Sequence, residues 1–111
     1  TKPVRLSPFY DTVLSPLQFL NKINGVIANM YALRGAEQTK SKDYEKALRS
    51  FEKAVAYDKS AQNIFGLAYS YHMKGLVSKM VADLEFAKLY YRKVLELDPQ
   101  NAAAKANLGS L

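Results

Sequence analysis

The stretch that decides the fold is Ala-Lys-Leu-Tyr-Tyr-Arg-Lys-Val-Leu-Glu-Leu-Asp-Pro-Gln-Asn, residues 87–101, which ends one helix and starts another. Proline lacks a backbone donor and disfavours helical geometry at the residue before it, so the first helix is predicted to end near Leu97. Asn101 is a good N-cap for the helix that follows. The stretch is therefore a helical joint, and a near copy of it lies 40 residues upstream.

Length and composition indicate one small helical domain. The chain has 111 residues, 49% of them apolar, with five Gly and four Pro, which argues against disorder and against a turn-rich β fold. The absence of Cys excludes disulfides and thiolate metal sites, and no apolar run is long enough to predict a membrane span. The start at Thr1 suggests a trimmed or processed protein whose address signals would be missing. The location is therefore unknown, and a soluble cytoplasmic protein is the default expectation.

The net charge of +6 raises the question of an acidic partner. Residues 1–27, 28–61 and 62–111 each carry a net charge of +2, which is typical of a solvated basic surface. The local exception is a set of four basic residues at helical spacing, Lys42, Lys46, Arg49 and Lys53. They are either a solvated helix face or a surface for a phosphate backbone or another acidic partner.

Apolar periodicity predicts about five helices after an extended lead-in over residues 1–14. Ser15 and Pro16 supply an N-cap and a first helical residue, and the apolar stripe stays in phase across Gly25, which favours one continuous helix. The expected helices are 16–39, a second capped by Ser41 and ending near Tyr57, 61–74 ended by Gly75, 77–97, and one from Ala102 that is cut off at Leu111.

An internal repeat appears when Ala47 is aligned with Ala87. Ahead of each copy, a bulky residue is followed four positions later by a small one, which lets two helices approach closely. This is the pattern of stacked helical hairpins. The other aligned pairs are Tyr44 with Leu84, Phe51 with Tyr91, Ala54 with Val94, Tyr57 with Leu97, and Asp58 with Asp98.

The pattern resembles the tetratricopeptide repeat, a helix-turn-helix unit of about 34 residues with small residues at the helix crossing and a proline at the hinge. The resemblance implies an all-α fold, a right-handed stack of antiparallel helical hairpins. Arg34, Gln38 and Lys59 depart from the family pattern, so the first helix is interpreted as an adapted capping helix. The expected domain covers 15–111, with a repeat at 28–61, a second at 62–101 lengthened by about seven residues around 76–82, and a partial repeat or capping helix at 102–111.

Residues suited to catalysis are few, so we expect no enzyme activity, no cofactor and no metal. His72 is the only histidine and is interpreted as a surface or groove residue. Asp83 and Glu85 do not face each other on a helix, and no glycine loop suits a phosphate. Most of the thirteen aromatic residues fall at core spacing, which favours packing over base stacking.

The resemblance implies a concave groove lined by the first helix of each unit. Phe65, Tyr69 and Met73 share a helix face distinct from the core face, so either a neighbouring helix or the lead-in covers them, or they anchor a peptide or helix. Ala32 and Ala36 occupy sites where some family members clamp acidic chaperone tails, which disfavours that ligand. The groove residues so assigned are Asn29, Ala32, Ala36, Lys40, Gln62, Phe65, Tyr69, His72, Met73, Ala103 and Ala106.

The sequence as a whole favours a noncatalytic protein interaction module or assembly scaffold that binds a peptide or helix in this groove. One alternative is a basic accessory domain for nucleic acid or an acidic membrane surface. Another is self-association, because a short solenoid leaves apolar end faces open. None of these readings names the partner.

Overall fold

The computed structural model describes residues 14–111, so the lead-in expected before residue 14 lies outside it. This part of the chain holds five helices and no strand, which confirms the all-α prediction. Consecutive helices pack against each other in chain order, and α1 also touches α3. The helices are α1 (Pro16–Lys40), α2 (Tyr44–Tyr57), α3 (Ala61–Ser78), α4 (Val81–Leu97) and α5 (Ala102–Gly109).

Helix α1 begins as the sequence predicts and runs without a break through Gly25. Ser15 and Gln18 form a reciprocal capping box, in which Gln18 N donates to Ser15 Oγ at 3.2 Å and Ser15 N donates to Gln18 Oε1 at 3.0 Å. Pro16 lies in the first turn, where its missing N–H costs nothing. The start of the helix is therefore fixed by local sequence.

The cap of α2 was assigned wrongly to Ser41. Helix α1 continues to Lys40, so Ser41 ends that helix instead, and Lys42 reverses the chain with a left-handed φ of 59°. Asp43 is the N-cap, because its side chain accepts from Lys46 N at 3.3 Å. Lys42 consequently lies in a turn and not on the α2 face where the charge pattern placed it.

The end of α3 and the start of α4 also differ from the prediction. Gly75 does not end α3, which continues to Ser78, and α4 starts at Val81. A Cβ at Gly75 would lie 2.7 Å from Leu84 Cδ2, so glycine is needed there for the close approach of the two helices. The chain turns at Lys79 instead, which takes the left-handed conformation with φ of 59°.

The hairpin of α3 and α4 is longer than one family unit. From the start of α3 to the start of α5 is 41 residues, against about 34 for a unit. Helices α3 and α4 have 18 and 17 residues where α2 has 14, so the extra length is shared between them at about one turn each. The lengthened end exposes four apolar side chains, Leu76, Val77, Met80 and Val81.

The core follows the stack and is not gathered at one centre. One buried cluster surrounds Phe51 between α1, α2 and α3, and a second surrounds Tyr91 between α3, α4 and α5. Ala47 and Ala87, the residues aligned in the internal repeat, are both 0% exposed.

Candidate functional site

The floor of the candidate groove is a close meeting of three helices at one aromatic ring. The Phe51 ring of α2 lies between Gly35 of α1 and Gly66 of α3. A Cβ at Gly35 would lie 2.8 Å from Phe51 Cε2, and one at Gly66 would collide with the opposite edge of the ring. The two glycines therefore allow α1 and α3 to approach each other and form one surface.

A first depression of about 240 Å³ lies on this surface between α1 and α3. Five of the predicted groove residues line it: Asn29, Ala32, Ala36, Gln62 and Phe65. Four other residues line this depression and were not predicted from the sequence: Leu33, Phe51, Asn63 and Gly66.

A second depression of about 480 Å³ lies between the first turns of α3 and α5. Gln62, Phe65 and Ala103 line it as predicted. The joint residues Ser60, Ala61, Asp98 and Asn101 line it as well, and the sequence did not assign them. The predicted helix order could have indicated these joint residues. Helices α3 and α5 both start after a joint at the same end of the stack, so their first turns lie side by side.

Phe65 is half-buried and belongs to both depressions. Its ring stacks on Tyr69 at a centroid distance of 6.4 Å and meets the edge of Tyr91 at 5.7 Å. A neighbouring helix thus covers one side of Phe65 while another side faces the groove. The explanation that a neighbouring helix covers the second apolar face of α3 is therefore confirmed for one side of Phe65, and the explanation that this face anchors a peptide or helix stays a prediction.

The sequence leaves His72 either at the surface or in the groove. The surface position is wrong, because His72 is buried at 9% exposure, and His72 lines neither depression. Its Nδ1 lies 2.9 Å from Tyr91 Oη, to which Asn107 Nδ2 also donates at 3.1 Å. Asn107 occupies one acceptor position of Tyr91 Oη, and which of Oη and Nδ1 donates in the other contact depends on the tautomer of the imidazole. Burial lowers the pKa of His72 and raises the pKa of Tyr91 to about 12.

Four other predicted residues line neither depression. Tyr69 and Met73 are half-buried further along α3, and Ala106 is exposed on α5. Lys40 is exposed at the end of α1 and pairs with Glu37 at 3.3 Å. The depressions therefore lie toward the joint end of the predicted groove.

The basic residues singled out by the charge pattern are exposed, and each of the three that lie on α2 has an acidic or aromatic side chain beside it. Lys46 pairs with Asp43 at 3.7 Å and Arg49 with Glu45 at 3.9 Å. Lys53 Nζ lies 5.4 Å from the Tyr31 ring centroid. Neighbouring carboxylates thus partly neutralise Lys46 and Arg49, and Lys53 lies beside an aromatic ring.

Residues 14–111 contain neither a candidate metal site nor a candidate membrane-spanning helix. No group of three or more His, Asp or Glu side chains in this range could hold a metal ion. None of its helices combines the length and the apolar character needed to cross a membrane.

Comparison with protein families places the repeat where the hairpins lie. A family model described as tetratricopeptide repeat matches residues 28–60 and 68–101. The first match ends at the joint after α2, and the second ends at the joint after α4. A comparison with curated proteins found no match.

Proposed function

The chain belongs to the tetratricopeptide repeat family, whose repeats are generally protein–protein interaction modules, and from that premise we propose that its groove binds a peptide or helix of another protein. In this proposal the domain is a noncatalytic scaffold. The binding surface is the one built from α1, the first half of α3, and the start of α5.

The observation that carries the proposal is the meeting of the two depressions at Phe65 and Gln62. A half-exposed aromatic side chain at the centre of a concave surface, held by ring contacts on its buried side, is a typical anchor for a peptide. The exposed Ala36 and Ala103 flank this anchor and leave room for ligand side chains.

The lining favours a ligand that is not acidic. Asn29 and Gln62 are exposed amides, which can both donate to and accept from a peptide backbone. Ala32 and Ala36 carry no charge, and Asp98 contributes a carboxylate to the second depression. A neutral or basic segment with one apolar anchor residue fits this surface best.

The test is selection of random peptides against the full 111-residue chain, followed by binding measurements on the enriched peptides. Ala36→Arg and Ala103→Arg fill the two depressions without removing any core packing, so each should weaken binding at least about tenfold. Ala56→Arg on the exposed part of α2 is the matched control and should bind normally.

Circular dichroism must show that the three variants remain folded. Enriched peptides that bind Ala36→Arg and Ala103→Arg as well as they bind the original chain would refute groove binding. Enriched peptides with two or more acidic residues at the groove would refute the proposed ligand chemistry.

A further inference from the structure

Helix α1 carries a second apolar stripe on the side away from α2. Its members follow each other at spacings of four, three, four and three residues. All are exposed: Phe19 by 59%, Ile23 by 39%, Val26 by 62%, Met30 by 65% and Leu33 by 60%. The core side of the same helix is formed by Ala28 and Gly35, which are buried.

This spacing is the heptad pattern by which one helix packs along another. The stripe runs over the 15 residues from Phe19 to Leu33, which are about 21 Å apart along the helix. A helix face that contacts only water does not require this spacing. The packing of α1 on α2 is already accounted for by its buried side, at Ala28 and Gly35. The outer stripe is therefore suited to a partner helix lying along α1.

Two depressions follow the stripe, and each has one cationic residue among apolar or aromatic ones. The first, of about 340 Å³, contains Lys22 and is otherwise lined by Leu14, Phe19, Ile23, Val26 and Ile27. The second, of about 230 Å³, contains Arg34 and is otherwise lined by Ile27, Met30 and Tyr31. Twelve residues of helix place the two cationic residues about 18 Å apart along the stripe.

Arg34 is held in place at the edge of the stripe. Its guanidinium carbon lies 5.9 Å from the Tyr31 ring centroid, and Tyr31 stacks on Tyr57 of α2 at 6.1 Å. A cation positioned by a stacked aromatic pair loses little side-chain freedom when it meets a carboxylate. The site thus has an ordered charge beside an apolar surface.

The charges around the stripe select the partner. Residues 16–36 include Lys22 and Arg34 and no acidic residue, and Glu37, the one carboxylate of α1, pairs with Lys40 at 3.3 Å, so the stripe of a second copy offers no unpaired carboxylate to either cation. We propose that the outer face of α1 binds an acidic amphipathic helix of another protein, with apolar residues along the stripe and carboxylates beside Lys22 and Arg34. This surface lies outside the groove proposed above, apart from Leu33, which borders both.

The probe is a synthetic amphipathic peptide of four heptads, with Leu at the two core positions and Glu at the flanking positions. A matched peptide with Lys in place of Glu is the control. The Glu peptide should bind the full chain at least about tenfold more tightly than the Lys peptide at low salt. Val26→Gln with Met30→Gln should reduce this binding by a similar factor.

Charge reversal separates recognition from general stickiness. Lys22→Glu with Arg34→Glu should weaken binding of the Glu peptide and strengthen binding of the Lys peptide. Ala103→Arg, which blocks only the groove, should leave both affinities unchanged, so this result and the groove result can fail independently.

Three outcomes would overturn the proposal. One is equal binding of the Glu and Lys peptides, and another is no binding of the Glu peptide at hundreds of micromolar. The third is a dimer of the chain in sedimentation that Val26→Gln with Met30→Gln dissociates, because the stripe would then pair with a second copy.

Discussion

Gly66 and Gly25 both lie inside helices, yet only Gly66 faces a neighbouring side chain. A Cβ at Gly66 would collide with the Phe51 ring, which cannot retreat because Gly35 closes its other side. We expect Gly66→Ala to lower the free energy of unfolding by about 1–3 kcal/mol, measured by urea denaturation. Phe51→Leu in the same chain should offset part of this loss.

Gly25→Ala is the matched control for that substitution. No atom lies within 4 Å of the added Cβ, so the change should stabilise α1 by about 0.5–1 kcal/mol through helix propensity alone. A loss of stability with Gly25→Ala, or none with Gly66→Ala, would contradict the close contact at Phe51.

His72 and Tyr91 make stability depend on pH at both ends of the range. Burial lowers the pKa of His72, so the unfolded chain binds its proton more readily, and stability falls as pH drops below about 6.5. Burial raises the pKa of Tyr91 to about 12, so its contribution is lost as pH rises from about 10 toward 12.

The measurement is the denaturation midpoint between pH 5 and pH 8. His72→Asn keeps an acceptor near the Nδ1 position but does not titrate, so the acid-side loss should shrink. Tyr91→Phe should cost about 1–3 kcal/mol at neutral pH, because it leaves His72 and Asn107 without their buried partner. An unchanged acid slope in His72→Asn would show that other groups cause it.

Among the elements, the turn between α3 and α4 is built from residues that do not favour it. Lys79 takes a left-handed conformation that suits glycine, and Met80 is an N-cap without a side-chain hydrogen bond. Met80→Asp should stabilise the protein by about 0.5–2 kcal/mol in thermal denaturation. Ser60→Ala is the opposite control and should lose a similar amount, because Ser60 Oγ accepts from Asn63 N at 3.2 Å.

These turns also show what sequence reasoning reaches and where it stops. The caps at Ser15 and Asn101 were read correctly, because each follows from local chemistry. The prediction that Gly75 ends a helix is wrong. A glycine that lets a neighbouring helix come close cannot be distinguished in the sequence from a glycine that ends a helix. The burial of His72 could not be predicted from a local pattern. His72 contacts Tyr91, which lies 19 residues away in the sequence, and Tyr91 in turn contacts Asn107, another 16 residues away.

The first half of α1 has few neighbours within the described chain. Residues 15–23 are exposed on every side, and full burial begins at Ala28. Hydrogen exchange should therefore be fast over residues 17–26 and slower over 28–40. The Glu peptide described above should slow exchange in the first segment. Equal protection of both segments in the isolated chain would contradict this description.

At the scale of the whole molecule, the stack behaves as a row of neighbours. Its buried apolar residues form two clusters, one around Phe51 and one around Tyr91, and most contacts between helices join consecutive helices. In such a row each helix depends mainly on the elements beside it. Local changes should therefore have local effects.

Leu108 tests this, because it packs from α5 onto the cluster around Tyr91, whose buried members come from α3, α4 and α5. Leu108→Ala should cost about 1–2 kcal/mol in α4 and α5, where hydrogen exchange should accelerate. The exchange rates of residues 28–40 and α2 should stay nearly constant. Uniform acceleration over the whole chain would indicate one cooperative core instead.

The shared lengthening of α3 and α4 has a consequence for how such a chain can change. The added turns lie at the end of the hairpin where α3 meets α4, and the joints at 58–60 and 98–101 lie at its other end. Lengthening both helices by one turn therefore leaves the two joints side by side. The closed end of the hairpin is thus free to vary in sequence and reach while the stacked surfaces are conserved in geometry. New exposed side chains, such as the apolar ones between Leu76 and Val81, can be acquired at this end without any change in the residues that line the groove.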